Sequence, residues 1–203
     1  MSPPIISDRA RLEDFAAALA DASGIALDTE FLRERTYRPQ LCLLQLAHNG
    51  TALCVDPLAD LPLDLLRPAL ARPGAQKILH AARQDLEVLW PVFGELQDVY
   101  DTQIAAALAG LPAQVGYSEL VRRLLGIDLP KGQTRTDWSR RPLTEAQVQY
   151  AIDDVLHLPA LRDLLDEQLD KLGRRDWLAE ELAELSRADR LFVDPDKAWE
   201  RLK

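Results

Sequence analysis

Apolar positions change their period several times along the chain, and each change marks an element. Leu12, Phe15, Ala16 and Leu19 recur at helical spacing, which predicts an opening helix with Ser7 as its N-cap and Gly24 at its end. Ile25 to Phe31 then reads as a strand and Arg33 to Gln40 as a polar loop. Leu41-Cys42-Leu43-Leu44-Gln45-Leu46-Ala47 is a second, well-buried strand. Asn49-Gly50 is a strong two-residue hairpin signal, so Thr51 to Asp56 is expected to run antiparallel to that strand. The first three strands should therefore form a meander.

Beyond Asp56 the pattern alternates. Leu63 to Leu70 is helical and closed by Pro73-Gly74. Lys77 to His80 is a short buried strand, and Ala82 to Phe93 a helix whose last turn Pro91 should disturb. Val99-Tyr100 leads as a strand into a helix from Thr102 to Leu108. Strands alternating with helices imply parallel crossovers, hence an α/β fold with a mixed sheet and a helix layer on each face. Tyr117 to Leu125 is a further helix. Gly126 to Pro142 is irregular and long enough to suggest a functional loop. Thr144 caps a helix through Tyr150 and Asp154, with Gln147 completing a capping box. Pro159 should kink or restart that helix, and Arg174 to Arg190 gives a last amphipathic one.

Composition narrows the class. A chain of 203 residues with 47% hydrophobic content fits one domain over residues 1–203, with a C-terminal helical extension from about residue 174. No stretch reaches the roughly 18 apolar residues of a membrane span, and the start lacks a charged, apolar signal segment. A cytoplasmic protein without a membrane partner is expected. Cys42 and Cys54 lie in apolar runs, as buried thiols in a reducing compartment do. A net charge of −9 argues against a sequence-independent duplex binder. The charge is uneven, however. Arg33, Arg35 and Arg38 form one basic group, and Arg122, Arg123, Lys131, Arg135, Arg140 and Arg141 a second. An acidic chain can still hold a phosphate backbone locally, above all if cations neutralise its site.

The candidate chemistry lies in four carboxylates and a tyrosine. Asp28 and Glu30, two apart on a strand, project to one face, with Leu27, Thr29 and Phe31 on the other. A solvated strand face would explain them too, but Ile25-Ala26-Leu27 reads as central-strand sequence, where unpartnered acids are costly. Asp85 sits just beyond the strand Lys77–His80, where α/β sites collect; alone it reads as a first-turn helix acid. Tyr150 and Asp154 are i and i+4 on one helix face, with Asp153 about a quarter turn away and expected to face solvent. Buried together, such carboxylates suit two hard divalent ions, with the tyrosine beside them for a water.

These residues sit in segments that resemble the ribonuclease D family, a branch of the DEDD 3′→5′ exonuclease superfamily, tyrosine subtype. The segments are Ala26-Leu27-Asp28-Thr29-Glu30-Phe31, Leu41 to Leu46, His80-Ala81-Ala82-Arg83-Gln84-Asp85-Leu86-Glu87, Tyr100 to Ala106, and Thr134-Arg135-Thr136-Asp137-Trp138-Ser139-Arg140-Arg141-Pro142-Leu143. They occur in order, and the resemblance runs from about Ile5 to Lys203. By position, Asp28 and Glu30 fill the first exonuclease motif, Asp85 the second, and Tyr150 with Asp154 the third. Ala81 stands where the wider superfamily often has Asn. Gln149 stands where the histidine subtype has His.

The resemblance implies a ribonuclease H-like exonuclease fold with a mixed five-stranded sheet, its first three strands antiparallel. It also implies stepwise hydrolysis of single-stranded RNA 3′ ends to nucleoside 5′-monophosphates, with two Mg²⁺ or Mn²⁺ ions about 4 Å apart. Asp28, Glu30 and Asp154 would hold one ion and Asp28 with Asp85 the other, while Tyr150 orients a water. Lys131 is expected near a phosphate and Phe31 against the terminal base. Trp138 is expected as loop-anchoring core, His80 and Asp101 in structural roles, and His157 as a surface or semi-buried histidine. Family members usually continue into helical nucleic-acid-binding domains, and none is expected within this chain. Two rivals remain on the residues alone: a DNA exonuclease of the same superfamily, and a non-catalytic RNA-binding scaffold.

Overall fold

The computed structural model of the chain describes residues 4–33, 38–130 and 136–187. Arg35, Lys131 and Arg135 lie outside them, as does the stretch of the expected last helix beyond Arg187. A six-stranded mixed sheet, in the order β1-β4-β3-β2-β5-β6, runs through the centre. Its strands are β1 (Ile5–Ile6), β2 (Gly24–Leu32), β3 (Gln40–His48), β4 (Thr51–Val55), β5 (Gln76–Leu79) and β6 (Val99–Asp101). The expected meander is β2-β3-β4, both pairs antiparallel. Asn49 (φ 49°) and Gly50 (φ 74°) close its hairpin with the positive φ pair that a two-residue turn between twisted strands requires. β5 and β6 join in parallel, as the alternating pattern predicts.

The sixth strand is a departure from the expected five. Ile5 and Ile6 pair in parallel with Cys54 and Val55. Two residues give no period to detect, so nothing in the pattern distinguishes this edge strand from a tail. The opening helix α1 (Arg9–Leu19) is capped by Asp8, which accepts from the Arg11 N–H, and not by Ser7. It ends at Ala20, and Gly24 opens β2 instead of closing the helix.

α2 (Arg67–Leu70) follows two short 3-10 turns, so the expected helix over residues 63–70 is split. α3 (Arg83–Phe93) carries Pro91 without breaking, because the helix runs only two residues further before Gly94 takes a positive φ. α4 (Thr102–Leu108), α5 (Tyr117–Leu125) and α6 (Glu145–Leu156) fall where periodicity placed them, and Thr144 with Gln147 forms the capping box of α6. α7 (Leu158–Leu172) restarts after α6 with Pro159 in its first turn. α8 (Arg175–Leu185) is shorter than the apolar pattern suggests.

Alternation along the strands builds two layers. Leu27, Leu44, Leu46 and Val55 join one core cluster with Leu12 and Phe15 of α1 and Leu86 and Leu89 of α3. The other face is covered by α6 and by a cluster uniting Ala26, Ala47 and Ile78 with α5, α7 and α8. Cys42 and Cys54 are buried and free. Among the described residues no helix is long and apolar enough to cross a membrane.

Candidate active site

β2 places Asp28 and Glu30 on the face beneath α6, and α6 brings Asp154 down onto them. One carboxylate oxygen from each of Asp28, Glu30 and Asp154 lies within 4.8 Å of the others. Asp85 comes from the opposite helix layer, in the first turn of α3, and lies outside this close trio. It is buried and accepts a hydrogen bond from the Thr29 hydroxyl, so the residue between the two strand acids holds the fourth. Asp28 still feels Asp85, Asp154 and Glu30 as like charges.

Burial is the leading cause of every carboxylate shift here. It raises Asp28 well above the ordinary range, with repulsion from Asp85, Asp154 and Glu30 adding to it. Glu30 is pushed up to about 8 by burial and then by Asp154 and Asp85. Asp85 and Asp154 are each raised to about 7 by burial, against the opposing hydrogen bonds of Thr29 and Tyr150 respectively. Four carboxylates that cannot all ionise without a counter-charge form a site short of positive charge. The donor set is oxygen only, which fits a hard divalent cation.

Tyr150 and Asp154 meet on one face of α6, as their spacing requires, and the nearby Tyr150 hydroxyl opposes the rise of the Asp154 carboxyl. The Tyr150 ring lies 6.1 Å from that of Trp138, which is buried in the cluster containing Cys42, Cys54 and Ala151. Asp153 is half-buried and not fully solvent-facing. It accepts from the Gln149 amide at 2.8 Å, and its carbonyl accepts from the Tyr117 hydroxyl at 2.8 Å. Tyr117 also accepts from the His157 N–H, so α5 is tied to the junction of α6 and α7.

Phe31 is half-buried against the first core cluster, just after a register shift between Glu30 and Phe31. That shift leaves Cys42 unpaired in the ladder, an extra residue of the kind that bulges a strand. The freed carbonyl of Cys42 accepts from Arg141 Nη2 at 2.6 Å. Arg141 also forks onto both oxygens of Asp56, at 2.6 and 2.7 Å, and donates to the carbonyls of Trp138 and Arg140. It is therefore a clamp that fixes Trp138 behind Tyr150, not one of a group of solvated arginines. The only sequence signal for it is the Arg-Arg-Pro-Leu run, which does not say which arginine turns inward.

Arg33 pairs with Glu87, Arg122 and Arg123 with Glu119, and Arg140 with Asp137. Asp101 accepts from the N–H groups of Ala81, Ala82 and Gln103. It holds Ala81 at φ 55°, in the turn that aims the start of α3. His80 is held between Thr102 and the Val115 carbonyl.

The 3′–5′ exonuclease family model matches residues 3–170, and the chain belongs to that family. Among its relatives, a ribonuclease D from Jannaschia sp. (strain CCS1) is 44% identical over 99% of this chain and 54% of its own length. The crystal structure of Escherichia coli RNase D superposes with a TM-score of 0.90 at 38% identity, over 98% of this chain and 54% of that one. Brucella melitensis NrnC gives 0.75 at 30% identity, over 85% of this chain and 84% of that one. The chain thus spans about half the length of the curated ribonuclease D relatives it matches.

Proposed function

We propose that this chain hydrolyses single-stranded RNA stepwise from the 3′ end, releasing nucleoside 5′-monophosphates, with two Mg²⁺ or Mn²⁺ ions. The observation that carries the reading is the meeting of Asp28, Glu30 and Asp154 beside the Tyr150 hydroxyl. Membership of the 3′–5′ exonuclease family supports the direction. The RNA preference is supported by the similarity to E. coli RNase D, described as an exoribonuclease involved in structured RNA processing. NrnC structures with pGG and with bound Mg²⁺ support a nucleotide and a divalent cation in this kind of site.

Asp28, Glu30 and Asp154 would hold one ion, and Asp28 with Asp85 the second. When bound there, such cations would lower the pKa of a water and offset charge on the leaving 3′ oxygen. Tyr150, braced by Trp138, orients the attacking water in line with the terminal phosphodiester. Asp154 lies beside the Tyr150 hydroxyl and would help set its direction. Hydrolysis adds the water oxygen to phosphorus and breaks the bond to the 3′ oxygen, which takes up a proton. Phe31 is assigned to the terminal base. Lys131 is assigned to a phosphate on the sequence resemblance alone.

The test uses 5′-labelled single-stranded RNA and DNA of matched sequence with Mg²⁺, Mn²⁺ or EDTA. A descending ladder on RNA with either metal, lost in EDTA, is the expected result. Cleavage that persists in excess EDTA, or a single internal cut, overturns the reading. Preferential degradation of DNA moves the substrate to the rival class.

A further inference from the structure

Gln45 is a polar residue inside an otherwise apolar strand. It lies on β3 directly opposite Asp28 of β2 and opposite Cys54 of β4, so all three share the face beneath α6. Its side chain is 0% exposed. Neither its Nε2 nor its Oε1 has a hydrogen-bond partner among the described residues. An amide sealed in without partners is costly, and a leucine or methionine would fill the same space at no such cost. Cys54 is a weak partner, because burial pushes its thiol up to about 12 and keeps it protonated. Asp28 is the other cross-strand neighbour. A carboxylate offers acceptor oxygens, the partners that the Gln45 Nε2 donor lacks. Side chains directly opposed on one face of an antiparallel pair lie about 4.5–5.5 Å apart at Cβ, within the span of a Gln and an Asp.

We propose that Gln45 is a positioning residue for Asp28, donating from Nε2 to the Asp28 carboxylate and fixing which oxygen faces the cation. The role rests on the assignment of Asp28 as a cation ligand made above. The amide stands on rigid strand backbone, so it sets the carboxylate torsion from a fixed point. Partners that orient a metal ligand typically change metal affinity by about 10–100-fold when removed.

The test is Mn²⁺ titration of the substrate-free full chain, followed by the electron paramagnetic resonance of free Mn²⁺, for wild type, Gln45→Met and Gln45→Leu. Both variants should bind Mn²⁺ about 10–100-fold more weakly. Their metal-free melting temperatures should equal or exceed wild type, because an unpaired amide has given way to an apolar group. In an Asp28→Asn background, Gln45→Met should cause no further loss. In the wild type, the Gln45 side-chain amide resonances should shift on Mg²⁺ saturation and stay still in Asp28→Asn, a readout that survives even if the variants fold poorly. Equal Mn²⁺ affinity in wild type and Gln45→Met, or a Gln45 amide signal unmoved by Mg²⁺, overturns the proposal and leaves the functional reading intact. A wild type that binds no Mn²⁺ overturns both.

Discussion

On the face of β2–β4 that meets α1 and α3, Leu27, Leu44, Leu46 and Val55 are fully buried among apolar neighbours. On the face beneath α6, the same strands present Asp28, Glu30, Gln45 and Cys54. The backbone ladder is shared, so the difference is entirely one of side chains. The first face supplies the burial that holds the sheet together. The second gathers like charges that burial pushes towards protonation, beside an amide without partners among the described residues. A sheet can keep such a face only because its other face is well packed, and residues that cost stability in the unloaded fold cluster where a site is built.

The comparison breaks most visibly if one residue from each face is changed. Asp28→Asn should lower the exonuclease rate by several orders of magnitude, while the metal-free melting temperature holds or rises, because a buried like charge is removed. Leu44→Ala, on the opposite face and paired across the ladder with Thr29 and Val55, should do the reverse. It should cost about 2–5 kcal/mol of stability and leave the specific activity of the folded fraction close to wild type. Thermal melts and initial rates on the two variants decide it. An Asp28→Asn protein that is both unstable and fully active would show that the acid belongs to the scaffold and not to the site.

Tyr150→Phe sharpens the comparison within the second face. The ring and its contact with Trp138 stay, and only the hydroxyl that meets Asp154 is lost. Divalent-ion affinity should survive, and the rate should fall by about 10²–10⁴-fold. Unchanged rates would show that Tyr150 is core with a satisfied hydroxyl.

The acids should also make stability depend on pH in a direction opposite to that of a salt-bridged carboxylate. Glu30 is raised to about 8, and Asp85 and Asp154 to about 7, from ordinary values near 4. Between those limits the folded chain binds more protons than the unfolded chain, so stability falls as pH rises. The metal-free protein should therefore melt at progressively lower temperature from about pH 5 to about pH 9, with the loss complete once the folded groups have ionised. Saturating Mg²⁺ should restore most of the stability at the alkaline end, because it binds the ionised site of the folded state. A melting temperature that rises over this range would mean the carboxylates are paired by protein cations.

Long periodic segments made the architecture legible in the sequence. The alternation around Asp28 and Glu30 and the i, i+4 spacing of Tyr150 and Asp154 placed these residues on faces that the fold does bring together. Two residues of β1 carry no period, and Asp8 outcompetes Ser7 as the cap of α1 through a hydrogen bond that composition does not reveal. Arg141 and Gln45 were hidden for a different reason. Their roles depend on tertiary neighbours, Asp56 and the freed Cys42 carbonyl for one and Asp28 for the other, which lie far away in the chain. A single arginine in a basic run, or a glutamine within a leucine-rich strand, carries no local mark of such a partner. Asp85 could be placed by its position after a strand, but its approach from the opposite layer, held by Thr29, could not.

The smallest expected effect falls on the residue next to the site. Asp153 is one position before Asp154 but about 100° around α6 from it, so its side chain leaves the trio that Asp28, Glu30 and Asp154 form. Its carboxylate accepts an exposed hydrogen bond from Gln149, and an asparagine can accept the same bond through its side-chain oxygen. Its contact with Tyr117 runs through the backbone carbonyl, which substitution leaves in place. Asp153→Asn should therefore change stability by no more than about 0.5 kcal/mol, and the exonuclease rate should stay near wild type. The paired variant Asp154→Asn removes a carboxylate from the trio and should lose activity on the scale of Asp28→Asn. A reversal, with Asp153→Asn inactive and Asp154→Asn active in the same RNA ladder assay, would mean that α6 presents a different face to β2 and that the site has been assembled around the wrong carboxylate.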